Sequence, residues 1–151
     1  MEKKIMTDAL ISIKPEFVDK IVNGQKTVEI RTRKVQLDKN SKLWIYTTLP
    51  KGSVQVLTYV KHVDFGHPTT IWSKYGSSIG ISRKTFDQYV NGSKSISAIV
   101  TEGTCKLPYE ISLQNIRSIV PDFQPPQFIK RMDDEDPVLM AILKILSENQ
   151  I

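Results

Sequence analysis

Cysteine is nearly absent from this chain. Cys105 is the only one in 151 residues, which excludes an internal disulfide and any thiolate zinc cluster. Histidine is almost as scarce. His62 and His67 stand alone, with no carboxylate or cysteine at ligand spacing, so neither a metal nor another cofactor is expected. No apolar run approaches the ~20 residues that cross a bilayer. Met1 to Met6 lead directly to Thr7 and Asp8 without an apolar signal stretch, so a cytoplasmic protein with no membrane partner is expected. Repeats, low-complexity tracts and linkers are missing too. With 40% hydrophobic and 25% charged residues, the chain reads as one domain, 1–151.

What is present is unevenly placed charge. The net charge is +5, and residues 1–66 hold twelve Lys and Arg against seven Asp and Glu. Residues 67–151 hold nine of each. The excess is densest from Lys20 to Lys42, a distribution that attracts phosphates or another anionic surface. A solubilising face explains the same charge without a ligand.

Ala9 to Lys14 reads as a strand, closed by Pro15. Phe17, Val18, Ile21 and Val22 follow at helical spacing, and Asn23-Gly24 stops that helix. Thr27 to Arg33 alternates as a strand. Val28 and Ile30 share one face, and Thr27, Glu29, Arg31 and Arg33 the other. Strands near Leu43–Thr48 and Val54–Val63 flank a Lys51-Gly52 turn. Short helices are expected around Ile71–Tyr75 and after Ser82, then a strand from Ser95 to about Thr104. Pro108, Pro121 and Pro125-Pro126 point to ordered loop with a short helix near Leu113–Ile116. A last helix, about 137–148, follows Asp136 and is apolar almost all round. It must be buried, against its own domain or in a homodimer contact. Five strands with inserted helices and two short connections predict an α+β fold: a small mixed β-barrel, not a doubly wound sheet.

The constellation with chemistry is Gly24-x-Lys26-x-x-Glu29-x-Arg31. Glu29 and Arg31 share a strand face about 7 Å apart. Lys26 stands where the chain enters the strand, and Lys14 converges on the same lip. Cations of this kind meet phosphate or carbonyl oxygens, and a carboxylate accepts from a base amino group. A desolvated Lys26 beside Glu29 also suits acid–base work. An ion-paired strand face is the plain alternative.

These residues resemble the ASCH (activating-signal-cointegrator homology) domains of the PUA-like superfamily. The resemblance rests on Leu10-Ile11-Ser12-Ile13-Lys14-Pro15 and on Gly24 to Arg31. It continues through Gly80-Ile81-Ser82-Arg83-Lys84-Thr85-Phe86 with Tyr89, and ends at Pro125-Pro126-Gln127-Phe128. It spans roughly residues 9 to 130 and implies a PUA-like barrel whose cleft is lined by the Lys/Glu/Arg motif, with the last helix added outside the core. It also implies binding of RNA or action on nucleotide-like substrates. Relatives of this branch are usually described as predicted transcriptional regulators. One subgroup deacetylates N4-acetylcytidine with a Lys, a Thr and a Glu. Lys26 matches its lysine, but Glu29 stands where its threonine belongs, so that triad is not carried over whole.

The expected function is therefore a nucleic-acid-binding module for RNA, another single strand or a nucleotide-like small molecule. Lys14, Lys26, Glu29 and Arg31 would line its cleft. Lys34, Lys39 and Lys42 form a basic loop beside the motif for backbone contacts. Trp72 and Tyr75 are candidates for base stacking, with core packing as the simpler role. Trp44 and Tyr46 are expected in the core, Tyr59 has no settled register, and Glu102 is a candidate second carboxylate near Lys26. The alternative is a hydrolase of nucleosides or RNA, an amidohydrolase or ribonuclease, using Lys26 and Glu29.

Overall fold

The computed structural model describes residues 7–149. The apolar run Ala9-Leu10-Ile11 lies in β1 (Asp8–Ile13), and Pro15 opens α1 (Pro15–Val22) at a helical position that needs no amide hydrogen. Gly24 leaves α1 at φ +84°, a left-handed backbone that side-chain-bearing residues disfavour. β2 (Val28–Arg31) is followed by an irregular extended segment that runs to β3 (Lys42–Thr47) and β4 (Ser53–Gly66). Next come α2 (Pro68–Tyr75), a single 3-10 turn at Gly76–Ser78, and α3 (Arg83–Val90), whose cap is the Ser82 hydroxyl accepting from the Thr85 amide at 3.1 Å. β5 (Ile96–Ser112), α4 (Leu113–Arg117), β6 (Ile129–Met132) and α5 (Pro137–Glu148) complete the chain.

All six strands form one curled sheet in the order β2-β5-β4-β3-β1-β6, a half-barrel. Only β1 and β3 run parallel, with α1 and β2 as their crossover. Three register shifts between β4 and β5 mark bulges, and bulges increase the local twist that curls long strands. β1 is buried on both faces, which explains its unbroken apolar run. Leu10, opposite Trp44, faces a core cluster shared with Phe123 and α5. Ile11, opposite Ile45, faces a second cluster covered by Val18 and Ile21 of α1. Val28 and Ile30 of β2 face a third, capped by Ile71 and Phe86 from α2 and α3.

The mixed α+β curled sheet agrees with the expected architecture, and two details correct it. There are six strands rather than five, because Ile129–Met132 pairs antiparallel with β1. The stretch after Thr104 is not loop: β5 continues to Ser112. Pro108 is accommodated where the pairing jumps from Val56↔Lys106 to Val54↔Ile111, a bulge that asks no ladder bond of it. α5 docks on its own domain, burying Val138, Leu139, Ala141, Ile142 and Ile145, while Met140 and Leu143 stay exposed. Asp136 caps it by accepting from the Val138 amide at 2.9 Å. Among the described residues no helix is long and apolar enough to cross a membrane.

Candidate functional site

Where the sheet curls, β2 comes opposite the end of β1, and between them opens a cleft of about 310 Å³. Its floor is the Lys26–Glu29–Arg31 row. The Lys26 ammonium is only 4% exposed and has three hydrogens to place. It donates to the Val28 carbonyl at 3.0 Å and to the Ile79 carbonyl at 2.7 Å, and it meets Glu29 Oε1 at 3.0 Å. Every hydrogen is thus engaged. The remaining Glu29 oxygen, Oε2, accepts from Arg31 Nε at 3.1 Å and Nη2 at 2.7 Å. Arg31 Nη2 also donates across the gap to the Ser12 carbonyl at 2.9 Å, tying the edge strand β2 to β1.

The walls come from separate parts of the chain. Phe17 of α1 lies 5.7 Å below the Lys26 ammonium, and Ile79, Ile81 and Tyr89 descend from the segment between the 3-10 turn and the end of α3. That segment is clamped from both sides. Lys20 donates to the Gly80 carbonyl at 2.7 Å as Lys26 holds Ile79, and the Thr27 amide donates to the Ser78 carbonyl at 2.9 Å. Gly80 has φ +81°, and a Cβ there would meet Lys26 Cβ at 2.9 Å, so a side chain is excluded by backbone and by space. Tyr89 is half exposed on the rim, and burial pushes its hydroxyl above the ordinary tyrosine range.

Lys14, Lys26, Glu29 and Arg31 are brought together as the sequence led one to expect, with Lys14 exposed at the mouth. The other candidates are dispersed. Lys34 and Lys39 lie along the segment after β2, outside the cleft. Lys42 begins β3 beside Asp8, whereas the cleft opens at the far end of the β1–β3 pair, where Ile13 meets Thr47. Five residue steps separate those ends, about 17 Å. Trp72 packs on Phe86 with centroids 4.9 Å apart, under Gly76 and Arg83, and does not line the cleft. Trp44 and Tyr46 are buried between the sheet and α5. Tyr59 packs on that same cluster and on Gly103, and Glu102 opposite it is exposed away from the cleft. Neither belongs to the site.

One expectation about histidine is corrected. His62 does have a carboxylate nearby, Asp64, at 3.9 Å, because residues two apart share a strand face. Tyr75 of α2 donates a hydrogen bond to Asp64 and contacts His62 Nε2 at 3.0 Å, and its hydroxyl pKa is pushed up to about 12 by burial and by that carboxylate. The same bond holds Asp64 below the usual carboxylate range. No group of three or more metal-ligating side chains occurs among the described residues. Sequence reasoning missed Lys20, Ile79 and Ser12 as site builders. Their partners lie 60, 53 and 19 residues away, with no local signal to betray them.

The ASCH domain family model matches residues 11–106. An ASCH domain-containing ribonuclease of Zymomonas mobilis subsp. mobilis is 33% identical over 129 residues, covering 85% of this chain and 86% of that protein. The crystal structure of ASCH from Zymomonas mobilis superposes with a TM-score of 0.84 at 30% identity, covering 91% of this chain and 94% of that one. Human THYN1 protein, solved in complex with 5-methylcytosine-containing DNA, shares the fold at a TM-score of 0.52 and 11% identity, over 91% of this chain and 97% of that one. Motif, half-barrel and relatives agree: the chain belongs to the ASCH domain family.

Proposed function

We propose that this chain recognises single-stranded RNA by drawing one nucleotide into the cleft between β1 and β2. The observation that carries this reading is the division of labour on the floor. Lys26 is fully engaged by protein, but Arg31 Nη1 makes no hydrogen bond to the described residues, and Glu29 Oε1 retains a lone pair. Nη1 and the exposed Lys14 are donors for phosphate or base oxygens, and Glu29 is an acceptor for an exocyclic amino group. Phe17, Ile81 and Tyr89 supply flat or apolar walls for a base. A cleft of about 310 Å³ is suited to a nucleotide, not to a duplex. The ligand class is supported by the 33% identical relative named a ribonuclease. A cytoplasmic place in RNA metabolism goes with it.

The test is titration of fluorescent dinucleotides and short single-stranded RNA at two salt concentrations. Arg31→Ala is expected to weaken both at least tenfold. Wild-type affinity in both Arg31→Ala and Glu29→Gln sinks the reading.

That relative's name also favours a second reading, cleavage of the bound strand. The 2′-hydroxyl would attack the adjacent phosphorus and give its proton to Glu29. The bond to the 5′-oxygen would break, leaving a 2′,3′-cyclic phosphate and a 5′-hydroxyl protonated by Lys14 or water. End-labelled RNA incubated with wild type and Glu29→Gln decides it, because a catalytic Glu29 loses product without losing binding in proportion. A homodimer through α5 would rest on the exposed Met140 and Leu143, and light scattering would show it.

A further inference from the structure

The cleft does not end at Arg31. Three further depressions follow it, each sharing lining residues with the one before. The first is at Arg31, Tyr89 and Phe128, the next along residues 34–37 with Phe128 and Arg131, and the last along residues 35–39 with Arg131 and His62, so that together they outline a groove. We infer that this groove is a second, extended part of the RNA site, a track that holds the strand on one side of the captured nucleotide. The inference rests on the RNA reading above and gives that site a length and a direction.

Three observations support it. The segment is a fixed rail although it forms no sheet pairs. Ser97, wholly buried on β5, donates its hydroxyl hydrogen to the Arg33 carbonyl at 2.8 Å and accepts from the Val35 amide at 2.9 Å. Val35 and Leu37 pack inward on the second core cluster, so Lys34 and Gln36 alternate outward, and the Asn40 amide is tied to the Val60 carbonyl at 2.7 Å. A rail held in this way meets a ligand without ordering its backbone, which lowers the cost of binding.

The second observation is charge. Arg31, Arg33, Lys34, Lys39 and Arg131 line the groove, and only Arg31 is in an ion pair with a described residue. Asp38 is the one carboxylate lining it. The nearby cations that do have carboxylate partners, Lys74 with Asp64 and Lys130 with Asp136, lie off the groove. A row of unpaired cations fits a phosphate backbone.

Two aromatic rings line the groove with these cations, Tyr89 and Phe128, and Phe65 lies beside it. Arg33 lies 5.5 Å from the Phe128 ring centroid, and Lys34 lies 5.6 Å from that of Phe65, which is half exposed; Tyr89 stands at the junction with the cleft. Cations beside ring faces are the recurring device for strands whose bases are free to stack. A duplex buries those bases, so this pairing of cations with rings selects a single strand.

The experiment measures affinity as a function of RNA length. Wild type is compared with the triple variant Arg33→Ala, Lys34→Ala, Arg131→Ala, and with the charge-retaining Arg33→Lys, Lys34→Arg, Arg131→Lys. Oligouridylates of two, four and eight nucleotides are titrated between 50 and 200 mM salt, with oligodeoxythymidylates in parallel. Wild-type affinity is expected to rise at least tenfold from two to eight nucleotides. The triple alanine variant should lose that rise, keep dinucleotide binding, and flatten the salt slope for the octamer by about 2 units of log K per log salt. The charge-retaining variant should keep most of the rise. Dinucleotide binding with no gain from length, or a length gain that survives the alanine variant, overturns the track and leaves the cleft reading standing. A preference for duplex overturns the track as well. No binding at any length overturns both.

Discussion

The cleft floor and the rail beside it contain the same kinds of residue in opposite circumstances. On the floor, Lys26, Glu29 and Arg31 are largely buried and satisfy one another and three backbone carbonyls. On the rail, Arg33, Lys34, Lys39 and Arg131 are exposed and have no carboxylate among the described residues. Breaking a buried, hydrogen-bonded pair leaves an uncompensated charge, whereas removing an exposed cation leaves water in its place. A basic residue is therefore structural where its hydrogens are all engaged, and available to a ligand where they are not. Lys26, the most prominent residue of the motif, is on the structural side of that line.

The largest expected effect follows from this. Lys26→Met should cost about 2–4 kcal/mol, since it leaves Glu29 with Arg31 as its sole cation and frees the buried Val28 and Ile79 carbonyls, the second of which holds the cleft wall. Urea unfolding measures it, and a cost below ~1 kcal/mol would place Lys26 with the rail. Gly80→Ala is next, at about 1–3 kcal/mol, from a disfavoured φ and the contact with Lys26 Cβ. RNA affinity should fall with it, as the wall is displaced.

Beyond the rail's far end lies the Asp64–Tyr75 pair, and Tyr75→Phe should cost about 1.5 kcal/mol at neutral pH. Asp64 is depressed in the folded state, so its contribution is present above the ordinary carboxylate pKa and is lost as pH falls through the lower folded value. Tyr75 is raised to about 12, so its share is complete below the ordinary tyrosine pKa near 10 and is lost as pH rises toward 12. The difference between variant and wild type should therefore shrink at both extremes, which denaturation across pH will show. The smallest effect belongs to Lys42→Ala. Lying at the opposite end of β3, it should change stability by no more than ~0.5 kcal/mol and octamer affinity by less than twofold. A loss matching that of Lys34→Ala would redraw the track.

Much of the fold was legible because local rules and the final packing agree. Pro15, Gly24, Ser82 and Asp136 mark helix ends by backbone chemistry that operates within three residues, and the alternation of Val28 to Arg31 shows which face is buried. The misreadings have a common cause. β6 is four residues long and contains Lys130 and Arg131, so it has no apolar alternation to announce it and exists because β1 offers an edge. The far half of β5 was hidden by Pro108, which only the bulge opposite β4 makes tolerable. Asp64 comes beside His62 because both lie on β4, where a spacing of two puts side chains on one face.

By itself the sequence determined the family, the identity of the Gly24-to-Arg31 motif and the side of β2 from which its charges project. Those properties are written in residues that are neighbours along the chain. Tertiary structure decided which charges are satisfied by the protein itself. The Ile79 carbonyl, 53 residues from Lys26, engages its last hydrogen, and Ser97, 62 residues from Val35, straightens a basic loop into a rail. Whether a cation is satisfied depends on the acceptors that folding brings to it, and those acceptors come from distant parts of the chain.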